Sequence, residues 1–102
     1  MSSNSKFLGA PLAIEVEIRA EKASAMRRVA QKVESLLAEL KKIEDASLGT
    51  QGAERARHVA RHQTLRAEAE KQRWYLIVQR EAMGLYHHGD IEELYRLPNP
   101  LR

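Results

Sequence analysis

The 102-residue sequence contains no cysteine, one tryptophan, one phenylalanine, three tyrosines, five glycines and three prolines. Without cysteine there is no disulfide scaffold, no thiolate zinc or iron–sulfur ligation and no cysteine nucleophile. Nothing in that composition calls for an oxidising compartment, so a cytoplasmic protein is the expectation. The scarcity of glycine and proline, with no repeat, excludes collagen-like and low-complexity chains, and a hydrophobic content of 43% is too high for wholesale disorder. No apolar run approaches the ~20 residues that a membrane-spanning helix needs, so no membrane partner is expected. The longest run near the N-terminus, Phe7 to Ile14, is broken by Pro11 and leads into Glu15 and Glu17, unlike a secretory signal.

What remains is charge and helical period. Seventeen Lys and Arg against fourteen Asp and Glu leave a formal charge of +3. The excess is concentrated in Arg55, Arg57, Arg61, Arg66, Lys71 and Arg73, among which only Glu68 and Glu70 are acidic. Residues 1–10 lack periodicity and read as a flexible lead-in, and one domain over 11–102 follows. Met26, Val29, Val33, Leu36, Leu40 and Ile43 recur at steps of three and four, a heptad seam that Ala30 and Leu37 widen. Upstream, Leu12, Ile14, Val16 and Ile18 alternate like a strand. A lone strand would have no partner in this chain, so the first helix is read through them, over 11–47.

Residues 48–52 form the loop. Gly49 is placed to end the first helix and Thr50 to cap the next. The second helix is expected over 53–87, with Ala53, Ala56, Ala60, Ala67, Trp74 and Val78 on its inner seam. A tail over 88–102 then begins with one short helical turn and is expected to fold back over the apolar run Trp74 to Val78. If the helices are antiparallel about Thr50, Met26 faces Trp74, Val33 faces Ala67 and Leu40 faces Ala60, so that large meets small. The same register sets Arg19 against Glu81, the polar interruptions of the two seams, as an expected ion pair.

The fold class is therefore all-α, a long antiparallel helical hairpin. Such a rod has little interior, and Leu37, Ala38, Tyr75, Leu76, Ala82 and Met83 fall on its flanks. Covering even ~600 Å2 more of apolar surface at ~25 cal/mol per Å2 is worth ~15 kcal/mol before entropy costs. A symmetric homodimer forming a four-helix bundle is the expectation.

The chemistry-bearing residues are few. Glu54, His58 and His62 share a helical face at metal-ligand spacing, but Arg55, Arg57 and Arg61 crowd the same turns and would repel a cation, so no metal or other cofactor is expected. His87 and His88 sit where imidazole suits the negative end of a helix, with Gly89 free to turn the chain. The basic residues Arg55 to Arg73 offer a face to nucleic acid or another polyanion, without aromatic interleaving, a phosphate loop or a recognition motif. Gln79, Arg80 and Glu81 form the densest polar cluster among apolar neighbours and could hold an anionic substrate, as small helical mutases of the chorismate type do. The first helix lacks the arginine and aspartate pattern of those enzymes, and no paired carboxylates or activated nucleophile are present.

Two segments together resemble a small, mainly proteobacterial family of all-helical proteins of unknown function. These are Ala20-Glu21-Lys22-Ala23-Ser24-Ala25, and Trp74 through Leu85 (W-Y-L-I-V-Q-R-E-A-M-G-L), followed by His88 and the tail residues Tyr95 and Pro98. The resemblance implies helical architecture, transfers no activity, and marks Gln79, Arg80, Glu81, Gly84 and His88 as positions to examine. The reading reached from sequence is a non-enzymatic structural or interaction module with an unidentified protein partner; polyanion binding is the alternative and an enzyme of mutase type the third.

Overall fold

Helix wins over strand at the alternating residues that follow Leu12 in the computed structural model, which describes residues 12–102. The expected flexible lead-in and Pro11 lie outside the described residues. Helix α1 spans Ala13–Ser47, α2 spans Gly52–Ala82 and α3 spans Gly89–Leu94, with no strand among the described residues. The start of α1 is fixed by Glu15, whose carboxylate accepts the Leu12 backbone N–H at 3.2 Å, half of a capping box. Its end is fixed by Gly49, in the left-handed region at φ 76°. Thr50, expected to cap α2, instead donates its hydroxyl to the Ser47 carbonyl at 2.6 Å and so closes α1; Gln51 takes the position before α2.

Helix α2 stops well before residue 87. The N–H of Leu85 reaches the Arg80 carbonyl and that of Gly84 reaches the Glu81 carbonyl, both at 3.0 Å, the paired bonds of a Schellman turn. Gly84 takes the left-handed conformation this needs, at φ 83°. Gly89, to which that role was assigned, begins α3 instead.

The heptad seam of α1 is the core of the molecule. Val33 and Leu40 are fully buried, Ile43 nearly so, and Met26, Val29, Ala30, Leu36 and Leu37 are half-buried. The face that α2 turns toward them differs from the expected one. His62, Ala69, Gln72 and Leu76 are buried, whereas Ala53, Ala56, Ala60, Ala67, Trp74 and Val78 are all exposed. Burial at 62, 69 and 76 in place of 60, 67 and 74 is an offset of two residues, which at ~100° per residue turns α2 by about 200°. The register shifts as well. Glu44, which the expected register sets against Ala56, lies 3.4 Å from His62, more than a full turn further along α2. Met26 therefore does not pack on Trp74, nor Leu40 on Ala60.

The physical reason is a third layer that a two-helix pattern does not contain. Ile91 of α3 is buried, and Tyr95 sends its hydroxyl to Glu34 of α1 at 2.7 Å. Residues 96–102 then run back along α2, where Arg66 donates to the Pro98 carbonyl and Arg55 to the Arg102 backbone oxygen, each at 2.7 Å. Arg55 and Arg66, beside that inner face, are thus supplied with acceptors, Gln72 donates to Glu68 of its own helix, and the alanine stripe is left outside. The tail does fold back, but over the Arg55 to Arg66 stretch, not over the aromatic run. Leu76 is covered, while Tyr75 and Met83 keep 39% and 36% of their surface exposed. Beyond the end of α2, the first turns of α1 lie outside the hairpin contact, and Leu12, Ile14, Val16 and Ile18 are about half exposed.

Candidate functional site

Three groupings of side chains stand out, and the first surrounds Arg80. Near the end of α2 its guanidinium grips Asp90 of α3, with one nitrogen 3.0 Å from each carboxylate oxygen, and its other nitrogen donates to the His87 carbonyl at 3.2 Å. This clamp holds α3 against the hairpin. The hydrogen bond from Arg80 keeps the Asp90 carboxyl below its ordinary value near 3.8. A depressed carboxyl favours the folded state above that ordinary value, and the contribution is lost as pH falls through the folded one.

Glu81 turns away from Arg80 and lies 3.7 Å from His88 Nε2. Arg19 is exposed on α1, beside Lys22, Ala82 and Met83, and the expected Arg19 to Glu81 ion pair does not form. With α2 rotated and shifted, Glu81 meets the turn into α3 instead. Gln79 is half-buried against Lys22, Ala25 and Ala82, its side-chain oxygen without a hydrogen-bond partner. An apolar hollow of about 320 Å3 does lie beside Arg80, lined also by Met26, Ala30, Leu76, Ile91 and Tyr95, but Glu81 is not among its walls. The cluster Gln79, Arg80, Glu81 is therefore split among three separate contacts.

Tyr95 closes the far side of that hollow. Its hydrogen bond to Glu34, reinforced by partial burial, raises the phenol above its ordinary value of 10.0. A raised value on an acid that must stay protonated stabilises the fold below about 10, and the contribution disappears as pH rises through the folded value. Subtracting the tyrosinate absorbance titration of Tyr95→Phe from that of the unmodified chain should therefore give a midpoint above 10.0. A midpoint at or below it would show that the Glu34 bond is not made.

The second grouping is the basic stretch, which the structure does not gather on one face. Arg55 and Arg66 donate to backbone oxygens of the tail, and Arg55 also reaches the Ser47 carbonyl at 3.0 Å, tying the loop to α2. Arg73 is half-buried. Arg57, Arg61 and Lys71 are exposed, with the Lys71 ammonium 5.9 Å above the Tyr75 ring. Of the possible metal ligands, Glu54 is exposed, whereas His62 is fully buried and faces Glu44 across the hairpin. No group of three or more such side chains converges among the described residues.

The third is the outer stripe of α2. Ala53, Ala60, Ala67 and Trp74 repeat every seven residues, Ala56 and Val78 widen the line, and all are exposed on the side turned away from α1. Trp74 shows 60% of its surface to solvent; its ring lies 5.4 Å from that of Tyr75, tilted by 54°. Heptad spacing made this stripe visible in sequence, but as the inner seam. Asp90, Glu34 and Glu44 were missed because their partners come from other elements and no local spacing signals them.

Compared with family models, curated proteins and solved structures, the chain matches none at a significant level. The resemblance carried by Ala20 to Ala25 and Trp74 to Leu85 is left as an expectation, and no functional residue is transferred through it. Among the described residues no helix is long and apolar enough to cross a membrane.

Proposed function

We propose that the chain is a non-enzymatic interaction module whose working form is a homodimer, joined through the outer stripes of two α2 helices. The observation that carries this reading is the apolar heptad line from Ala53 to Val78, left in water with Trp74 as its largest member. Solvated helix faces are normally polar, and an alanine line at heptad spacing that ends on an exposed tryptophan is a mark of a protein contact. An antiparallel pair with Ala67 on the two-fold axis sets Ala60 opposite Trp74 and Ala56 opposite Val78. Each large side chain then meets a small one, and the contact is self-complementary, as a two-fold interface must be. The result is a four-helix assembly with the two α2 helices inside and the two α1 helices outside. A cytoplasmic setting stays part of this reading on the absence of cysteine alone.

Polyanion binding is the second reading. It rests on the exposed Arg57, Arg61 and Lys71, whose number a dimer doubles, and it is weakened by the engagement of Arg55 and Arg66 with the tail. A mutase-type site has less support, since Arg80 is spent on Asp90 and His87 while Glu81 faces His88. Mass in solution by light scattering tests the first reading: twice the chain mass at micromolar concentration is expected, and a single-chain mass at all concentrations would contradict it.

A further inference from the structure

The segment Leu97 to Arg102 is held in an unusual way for a tail. Its hydrogen bonds to α2 run from arginine side chains to its backbone oxygens, Arg66 Nε to Pro98 and Arg55 Nε to Arg102, both at 2.7 Å. Such bonds, charge-assisted on the donor side, read an extended backbone and not a particular side chain. Eleven residues of α2 separate the two arginines, about 16 Å, slightly more than the ~14 Å that four fully extended residue steps span, so the segment runs extended and the arginine side chains make up the difference. Pro98 and Pro100 fix their own φ and so reduce the entropy lost on docking. Leu97 and Leu101 are half-buried and supply the apolar contact.

The groove is larger than its occupant. A cavity of about 300 Å3 continues from Pro100 and Leu101 along Val59, Gln63 and Glu70, and it is walled by His62. That imidazole is fully buried with neither ring nitrogen hydrogen-bonded. Its Nε2 lies 3.4 Å from the Glu44 carboxylate of α1, so the ring is turned into the hairpin and contributes its carbon face to the groove wall. Aligned arginine donors, an extended proline-containing ligand and unfilled room beside it are the parts of a peptide-recognition groove.

We infer that the face of α2 between Arg55 and Arg66 is a binding site for extended, proline-containing peptide segments of a partner protein, and that Leu97 to Arg102 occupies it in cis. The intramolecular segment acts at an effective concentration on the order of millimolar, so a partner peptide competes only where it fills more of the groove or where the segment is released. The cavity also reaches Ala67, so the groove borders the α2 outer stripe, but the inference rests on the arginine-to-tail bonds and not on that stripe.

The test uses the full chain and the synthetic hexapeptide LPNPLR, capped at both ends, with binding followed by backbone amide shifts. Two full-length variants loosen the segment: Leu97→Ser/Leu101→Ser, and Pro98→Gly/Pro100→Gly, the latter altering only the stiffness of a segment outside the helices. Saturable shifts at Val59, Gln63 and Arg66 are expected in both, with an apparent affinity at least ~10-fold above that of the unmodified chain, where the tethered segment competes. Adding Arg66→Met should weaken binding by a further ~10-fold, about the share of one charge-assisted hydrogen bond. Should the serine variant lose helix, the glycine variant decides. Absence of shifts in the glycine variant at ~5 mM peptide, several times the effective concentration of the tethered segment, would overturn the inference. So would shifts that ignore Arg66→Met, or a rise of the unmodified chain beyond a dimer that Arg66→Met abolishes, which would give the groove to the segment of a second copy.

Discussion

Trp74→Asp is expected to convert the protein from dimer to monomer with its helix content unchanged. In the proposed contact each Trp74 lies over Ala60 of the partner, so one substitution removes two buried indoles from the interface and puts two carboxylates in their place. A buried tryptophan at the centre of an interface is commonly worth ~2–4 kcal/mol. Two of them, at ~1.4 kcal/mol per tenfold, weaken association by about a thousandfold or more. Within one chain the side chain is 60% exposed, its ring tilted against that of Tyr75, so the hairpin has little reason to respond. Sedimentation velocity with circular dichroism on the same samples separates the two effects. An unchanged mass for Trp74→Asp would place the interface elsewhere.

Leu40→Ala is expected to act in the opposite sense, on the fold before the assembly. Leu40 is fully buried at the centre of the α1 seam, between Val33 and Ile43. Removing such a side chain forfeits its transfer energy and leaves a cavity, a loss of ~2–5 kcal/mol depending on how far the neighbours relax. A hairpin of this length has a total stability on the order of 5–10 kcal/mol, so the variant should unfold at a markedly lower urea midpoint with an unchanged slope. A change on the exposed surface of α1, Ala38→Gly, serves as a reference for helix propensity alone, at about 1 kcal/mol. A loss at Leu40 no larger than that reference would mean that the α1 seam is not the core.

The two substitutions also mark how much of the molecule could be read from its residues. The α1 seam was legible because six large apolar residues repeat at steps of three and four over eighteen positions and nothing competes with them. The hairpin was legible because Gly49 lies between the two long periodic segments and ends the first of them, as it does in the structure. For α2 the same rule picked the wrong side. Ala60, Ala67 and Trp74 form the better apolar line, yet His62, Ala69 and Leu76 are the residues buried. Pattern alone ranks faces by hydrophobicity, and a face bearing His62, Arg66 and Gln72 ranks low; the carbonyl oxygen that Arg66 meets comes from the tail, 32 positions away.

That third element is where sequence reasoning had least to hold. The bonds Arg66 to Pro98 and Arg55 to Arg102 join residues 32 and 47 positions apart, and Tyr95 to Glu34 spans 61. Separations of that kind leave no periodic trace. Arg80 was singled out from its company in the chain, but its role as the clamp on α3 needed Asp90, ten residues on and past the turn at Gly84. Glu81 and Arg19 were paired by register arithmetic, which fails when one helix rotates by about 200°.

The central claim is an antiparallel contact of two α2 helices about Ala67, and engineered cysteines in this cysteine-free chain test it most directly. With Ala67 on the axis, two copies of Ala67→Cys come within disulfide reach, a Cα separation of about 4.4–6.8 Å. Two copies of Ala60→Cys lie about fourteen residues, roughly 21 Å, apart and cannot join. Under mild oxidation the expected result is a covalent dimer for Ala67→Cys, not formed when the oxidation is run in denaturant, and none for Ala60→Cys. Cross-linking of both would mean a parallel pair, and cross-linking of neither would mean that the outer stripe of α2 is not where two chains meet.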